Sequence, residues 1–438
     1  MYQCSGRCHE RSQSRGFRVQ YRRGSCHWGL HTRRCYSAPP RGAGRNPHRH
    51  GRTGVVVRFS VRSSALAPAI TSVAAGLPRS ADTPTLAGIL IEPLIGSIAM
   101  SSYDYERSIR VEVIADLGEV DEPVLVSGRL LATVGKLLPP DTEVALEAKG
   151  GMLSISCSKA SFVLPLMEAH YYPQLPSVAP DRVVGSAMAS DFSAAVAAAA
   201  PFAAGDPALH EWTAVHLVAT EAYLQLTACD KCSVIVKQIP FDFATGEVMT
   251  VDVPAGLLAD AVGPWKGFDG SVELSWDENL FALSGAGSTS TMSILAYPYP
   301  SVETVYPKQV TTACEVTKSH LVTMLSRASA FSSGDYARIE LYAAEGSLAV
   351  QNLGGDGLIR DELTPRRFSG TPAKVAVNGR RLAAALKAID TDRMTLGFNG
   401  MRIGIYPGAP EVVFERAGIP LPPEEMAVAV MGMAGDRQ

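Results

Sequence analysis

The chain has 438 residues, 46% of them apolar and 19% charged, which is enough to bury several cores of domain size and too apolar for a disordered protein. No apolar run approaches the roughly 20 residues that a membrane helix needs, which excludes a helical span; residues 86–100 come nearest, and Pro93 and Gly96 break them. The net charge of −3 hides a split: fourteen of the 40 basic residues lie in 1–62 beside one acid, Glu10, so the remainder is acidic and its totals show no broad basic face for nucleic acid.

Residues 1–54 are rich in Arg, Ser, Gly, His, Cys and Pro, and have no periodicity that would bury a core. Three readings stand: a non-native extension from a start codon placed too early, a basic arm that touches nucleic acid, or a zinc site from Cys4, Cys8, His9, Cys26, His27 and Cys35. The zinc spacings match no standard finger. The segment lacks the apolar stretch of a signal peptide.

From Val55 the pattern changes to strands and short Ala/Leu-rich helices. A helix is predicted in 59–77, with a polar residue near its N-cap, and alternating strands follow in 98–115. Next comes VLVSGRLLATVGKLL (124–138), a strand, a glycine and a helix. The same order returns with a helix in 188–204, strands from Tyr223, and VDVPAGLLADAVGPW (251–265). It returns again with a helix in 314–331, strands from Ser347, and VAVNGRRLAAALKAI (375–389). The glycines taken as equivalent are Gly128, Gly256 and Gly379. Two segment types recurring three times in one order predict an α+β chain of three tandem domains at 55–178, 179–307 and 308–423, with a tail at 424–438. The junctions HYYPQLPSVAP and YPYPSVETVYP are rich in proline.

Motifs for catalysis are missing. There is no P-loop, GxSxG, HExxH or Rossmann glycine pattern. Cys229-Asp230-Lys231-Cys232 has CxxC spacing but no companion pair, and His170, His210, His216 and His320 are scattered, so a zinc enzyme built on Cys229 and Cys232 is a weaker alternative. The body's cysteines show no disulfide framework, which fits a reducing cytoplasm.

Read with the wording of the repeats, the chain resembles the beta subunit of DNA polymerase III, the bacterial sliding clamp. PTLAGILIE (84–92), SSYDYERSIRVEV (101–113), VLVSGRLLATVGKLLP (124–139) and SFVLPLMEAHYYPQLP (161–176) carry the resemblance, with ACD (228–230), NGRRLAAAL (378–386) and GIPLP (418–422) as later anchors. It implies three copies of one fold per subunit and a head-to-tail homodimer. Six domains then close a ring around duplex DNA, helices inside and antiparallel sheets outside. A topological link needs only modest positive charge on the inner helices, consistent with an acidic total. Arg79, Arg129, Lys136, Lys266, Arg327 and Lys387 are the candidate DNA-facing residues. Phe162 and Leu164 on a domain-one edge strand, and Phe331 in domain three, match the subunit interface.

The resemblance also implies a pocket between domains two and three in which partners dock a short linear motif. Carried over by position, it comprises Trp212, Cys229, Lys231, Cys232, Ser233 and Val234, then Pro300, Thr304 and Val305, then Tyr336, Asn378, Arg381, Ile419, Pro420 and Leu421. The implied partners are double-stranded DNA without sequence preference, the polymerase III alpha subunit, the clamp loader and other proteins with the motif. The implied protein is cytoplasmic, nucleoid-associated, non-catalytic and without cofactor, metal or membrane. The sequence departs from the family. At the pocket the usual Thr-Asp pair is Cys229-Asp230 and the usual helix tyrosine is Arg381; where the resemblance implies DNA contact, the usual aromatic pair before the first pocket residue is His210-Glu211 and the usual arginine before the Pro-Thr of domain one is Thr83. A divergent accessory, decoy or resistance copy with altered partner binding is the alternative reading.

Overall fold

The computed structural model describes residues 57–433, apart from 79, 81–82, 119–121, 247, 266, 303–304, 306–308, 332–336, 355–356, 411–412 and 414–425. The readings placed on 1–54 lie outside the described residues. Within the rest one unit occurs six times: a strand, a helix entered directly from it, and a meander of three antiparallel strands.

The first repeat opens with Val57–Arg62, helix α1 (Ser63–Ala74) and the strands Gly88–Pro93, Ser97–Tyr103 and Arg107–Ile114. It continues with Val124–Ser127, α2 (Gly128–Leu137) and Glu143–Lys149, Met152–Cys157 and Ala160–Met167. The second holds Val183–Met188, α3 (Ala189–Ala199) and Ala214–Ala219, Leu224–Cys229 and Ser233–Ile239; then Met249–Pro254, α4 (Ala255–Ala261) and Ser271–Trp276, Leu280–Gly285 and Ser288–Ser293. The third holds Thr312–Thr317, α5 (Lys318–Ala330) and Arg338–Ala344, Ser347–Asn352 and Arg360–Leu363; then Ala373–Asn378, α6 (Gly379–Lys387) and Arg393–Asn399, Arg402–Pro407 and Met426–Met431.

The two units of a repeat exchange their leading strands. Val57–Arg62 pairs with Glu143–Lys149 of the second unit, and Val124–Ser127 returns to Gly88–Pro93 of the first; the other repeats do the same. The α+β architecture is as expected. Alternation fixes the faces of the sheets: Glu143–Lys149 buries Val144, Leu146 and Ala148, while Ala145 between them is exposed and Glu147 half-buried. Helical spacing fixes the helices: α5 buries Leu321, Met324, Leu325 and Ala328. The helix pairs α1 with α2, α3 with α4 and α5 with α6 pack together.

Adjacent repeats join through third strands. Arg107–Ile114 pairs antiparallel with Ser288–Ser293, and Ser233–Ile239 with Met426–Met431. Each junction therefore continues a sheet from one repeat into the next.

Two expectations need correction, and a third, a polar residue at or near each helix start, holds without a side-chain cap. The stretch 424–438 is not simply a tail, because Met426–Met431 is inserted between Arg402–Pro407 and Ser233–Ile239; its alternating MAVAVM supplies the third strand that the sixth unit otherwise lacks. The N-caps of α1, α3 and α5 are Arg62, Met188 and Thr317, none with a side-chain cap. The polar residue beside the first of them is instead buried, Ser63 accepting at Oγ from the Thr142 amide at 2.9 Å. Gly256 is not the counterpart of Gly128 and Gly379. A Cβ at Gly128 would meet Leu77 Cδ1 at 2.5 Å, and one at Gly379 would meet Ile339 Cδ1 at 2.3 Å and Ala337 O at 3.0 Å, whereas one at Gly256 meets nothing within 4 Å. The corner of the middle repeat is the buried Ala255, one residue earlier.

Candidate functional site

The junction of the second and third repeats is built on one tight hairpin. Leu224–Cys229 turns through Asp230, Lys231 and Cys232 into Ser233–Ile239, with Lys231 at φ 71. The Asp230 carboxylate organises the turn. Its Oδ1 accepts from the Cys232 amide at 3.0 Å, the Ser233 amide at 2.6 Å and the Ser233 hydroxyl at 2.8 Å. Its Oδ2 accepts from Arg381 Nε at 2.9 Å and from the guanidinium NH2 at 2.9 Å, tying the hairpin to α6 of the third repeat. Charge-assisted bonds of this kind are stronger than neutral ones. The Asn378 side chain caps α6, accepting from the Arg380 amide at 3.0 Å and the Arg381 amide at 3.3 Å.

Behind the turn lies a small apolar cluster. Cys229, Val234, Val305 and Ala429 are buried together, and Trp212, Val302 and Met431 pack against them. Five of its members come from the positions around the predicted pocket or the loop before it. Ala429 and Met431 come from the strand Met426–Met431, which the sequence reading missed; the MAVAVM alternation was the signal available. Trp212 is half-buried, and Lys231 Nζ stands 5.6 Å from its ring centroid, a cation–π distance. Tyr299, beside half-buried Pro300, has its ring 6.4 Å from Trp212 and stacks on His216 at 4.9 Å; His216 Nδ1 lies 2.7 Å from Asp252 Oδ1. Burial pushes the Cys229 thiol up to about 12, although its sulfur accepts from the Lys231 amide at 3.3 Å. A thiolate nucleophile or zinc ligand needs the opposite shift.

Of the predicted pocket residues, Trp212, Cys229, Val234 and Val305 therefore meet, Lys231 covers Trp212, and Cys232, Ser233, Asn378 and Arg381 build the turn and the helix start beside them. Arg381, which stands where the family has a tyrosine, is paired with Asp230. Thr304, Tyr336, Ile419, Pro420 and Leu421 lie outside the described residues.

Arg129 and Lys136 are exposed on α2, and Lys387 on α6. Arg327 is exposed on α5 with a 2.7 Å bond to Asp361. Arg79 and Lys266 lie outside the described residues. In the strand Ala160–Met167, Leu164 is buried in the first repeat's own core and Phe162 packs against it, leaving Val163 between them 56% exposed. Phe331, at the end of α5, is 50% exposed.

Residues 57–176 match the family model for the N-terminal domain of the DNA polymerase III beta subunit. The beta sliding clamp homolog GriR of Streptomyces muensis is 29% identical over 347 residues, covering 78% of this chain and 91% of that protein. The beta sliding clamp of Streptomyces coelicolor is 27% identical, with coverage of 78% and 91%. Among solved structures, the Pseudomonas aeruginosa sliding clamp bound to griselimycin aligns with a TM-score of 0.77 at 17% identity, covering 86% of this chain and 99% of that one. The Thermotoga maritima DNA polymerase III beta subunit aligns at 0.77 and 18%, covering 87% and 100%. The first repeat thus matches the N-terminal domain of the DNA polymerase III beta subunit, and 78% of the chain is similar, at the low identity of a divergent relative, to bacterial sliding clamps, which are non-catalytic.

Proposed function

We propose that two copies of this chain close head to tail into a ring around duplex DNA and tether a replicative polymerase. The observation that carries this reading is the rule by which repeats join. Each junction pairs the third strand of one repeat's first unit with the third strand of the next repeat's second unit. Two third strands are left over. Arg360–Leu363 ends its sheet, and Ala160–Met167 pairs on its second side only at Leu166 and Met167, among the described residues. A second copy satisfies both by the same rule, and open strand edges are an aggregation hazard that closure removes. The polymerase alpha subunit, the clamp loader and other motif-bearing proteins are the partners in this reading, and the setting is the cytoplasm near the nucleoid. Retention on closed circular duplex, once loaded, with rapid loss after the circle is cut tests it; equal retention on both forms would exclude a topological link.

A second reading, a divergent accessory or resistance copy with altered docking, is favoured by Trp212. Its ring packs against the apolar cluster that a partner's side chain would otherwise reach, and Lys231 covers it. Titration of a fluorescent polymerase-motif peptide separates the readings. Tight binding by the unaltered chain supports the main clamp, and weak binding supports the divergent copy.

A further inference from the structure

The second helix of each repeat begins at one structural corner, Gly128, Ala255 or Gly379, so the positions of α2 and α6 correspond one by one, and those of the shorter α4 as far as its end at Ala261. In the first and third repeats the residue after the corner is Arg129 or Arg380, and seven residues on stands Lys136 or Lys387. Seven residues make nearly two turns, so each pair shares a helix face, and all four side chains are exposed. In the middle repeat the residues at the same sequence offsets are glycines, Gly256 on α4 and Gly263 in the 3-10 turn Gly263–Trp265 that follows the shorter helix.

The first helix of each repeat does not make up the difference. α1 and α3 contain no Lys or Arg. On α5, Lys318 Nζ donates to the Ile389 carbonyl at 2.6 Å and Arg327 is bonded to Asp361. Among the described residues of α3 and α4, the exposed charges are Asp191 and Asp260. A cleft of about 910 Å³ between the first and second repeats adds Asp104 and Glu106 to that side, and its Arg107 is bonded to both Asp104 and Asp260.

We propose that duplex DNA is gripped chiefly through the α2 and α6 faces of the first and third repeats, with no cation supplied by α3 or α4 of the middle repeat. This rests on the ring reading above. In that ring the first repeat of one subunit meets the third of the other, so the cations gather in two arcs at the subunit joints, separated by neutral-to-acidic arcs. Screening over about 8 Å at physiological salt keeps each arc's influence local. Few phosphate contacts leave the complex weak and free to slide.

Two variants of the full chain test it, read by anisotropy of a fluorescein-labelled duplex across a salt series, with the dimer checked by sedimentation. Lys136→Ala/Lys387→Ala should lower low-salt affinity about tenfold or more and flatten the dependence of log affinity on log salt, whose slope is about 0.9 per phosphate neutralised. Gly256→Arg/Gly263→Lys should steepen it. Neither glycine has positive φ, and a Cβ at either meets nothing within 4 Å, so these side chains are accommodated. An unchanged slope for the lysine variant in an intact dimer overturns the proposal. So does a glycine variant no steeper than the parent. A monomer in sedimentation removes the ring itself, and the proposal with it.

Discussion

At the scale of single residues, Asp230 and Trp212 decide what the pocket can do. Asp230 is bonded on both oxygens, to the turn and to Arg381, so neither it nor its arginine is available without breaking charge-assisted bonds. An acidic residue on a partner peptide would have to compete with Asp230. Trp212 is more accessible to change, because its ring covers Val234, Val305 and Cys229 and its backbone carbonyl alone accepts from Ala204, at 2.8 Å. Trp212→Ala keeps that backbone bond and uncovers the cluster. The expected result is at least a tenfold gain in affinity for a polymerase-motif peptide, about 1.4 kcal/mol, measured by fluorescence titration at one salt concentration. A change within twofold in a protein that still dimerises would mean that the peptide docks elsewhere.

At the scale of elements, the strand-to-helix corner is the most constrained point of each repeat. Gly379 donates its amide to Ala337 O at 2.7 Å, and an added Cβ would lie 3.0 Å from that same oxygen, which is backbone and cannot swing aside. Gly379→Ala should therefore cost about 1–3 kcal/mol in urea unfolding, as overpacking does. Gly256→Ala, in open space within a helix, should be neutral or stabilise by up to about 1 kcal/mol. Equal losses at both sites would contradict the assignment of Ala255 to the corner. The helices and meander strands were legible because their apolar spacing is imposed by burial on one face. The equivalence of Gly256 was misread because a one-residue offset leaves the local wording almost unchanged, and only the approach of Ile339 or Leu77 distinguishes the corner. Met426–Met431 was missed because residues 408–425 separate it in sequence from Arg402–Pro407, with which it pairs. The same distance hid Ala429 and Met431 from the pocket, just as nothing local links Arg381 to Asp230.

At the scale of the whole molecule, the rule of third strands predicts where a second copy must attach, and side-chain exposure predicts which contacts can be tested without unfolding the subunit. Leu164 is the wrong residue to change, because it is 7% exposed and part of its own repeat's core. Phe331 is suited to the test. It is half exposed, it closes α5, and its Cδ1 lies 3.0 Å from where a Cβ on Gly357 would stand, close to the start of the open strand Arg360–Leu363. Its carbonyl is held by Asn352 Nδ2 at 3.2 Å, a bond that does not depend on the ring. Phe331→Asp thus replaces an exposed aromatic beside the proposed joint by a charge while leaving the backbone bond intact. Burying an unpaired carboxylate at a joint is costly, whereas an exposed one on a monomer is not. Sedimentation should therefore show the variant as a folded monomer with unchanged circular dichroism. The strand pairing within the chain, and with it the pocket at Trp212, lies on other elements, so peptide affinity should stay at the parent value. A variant that remains dimeric would move the joint away from Arg360–Leu363, and the two unmatched third strands would then need another partner.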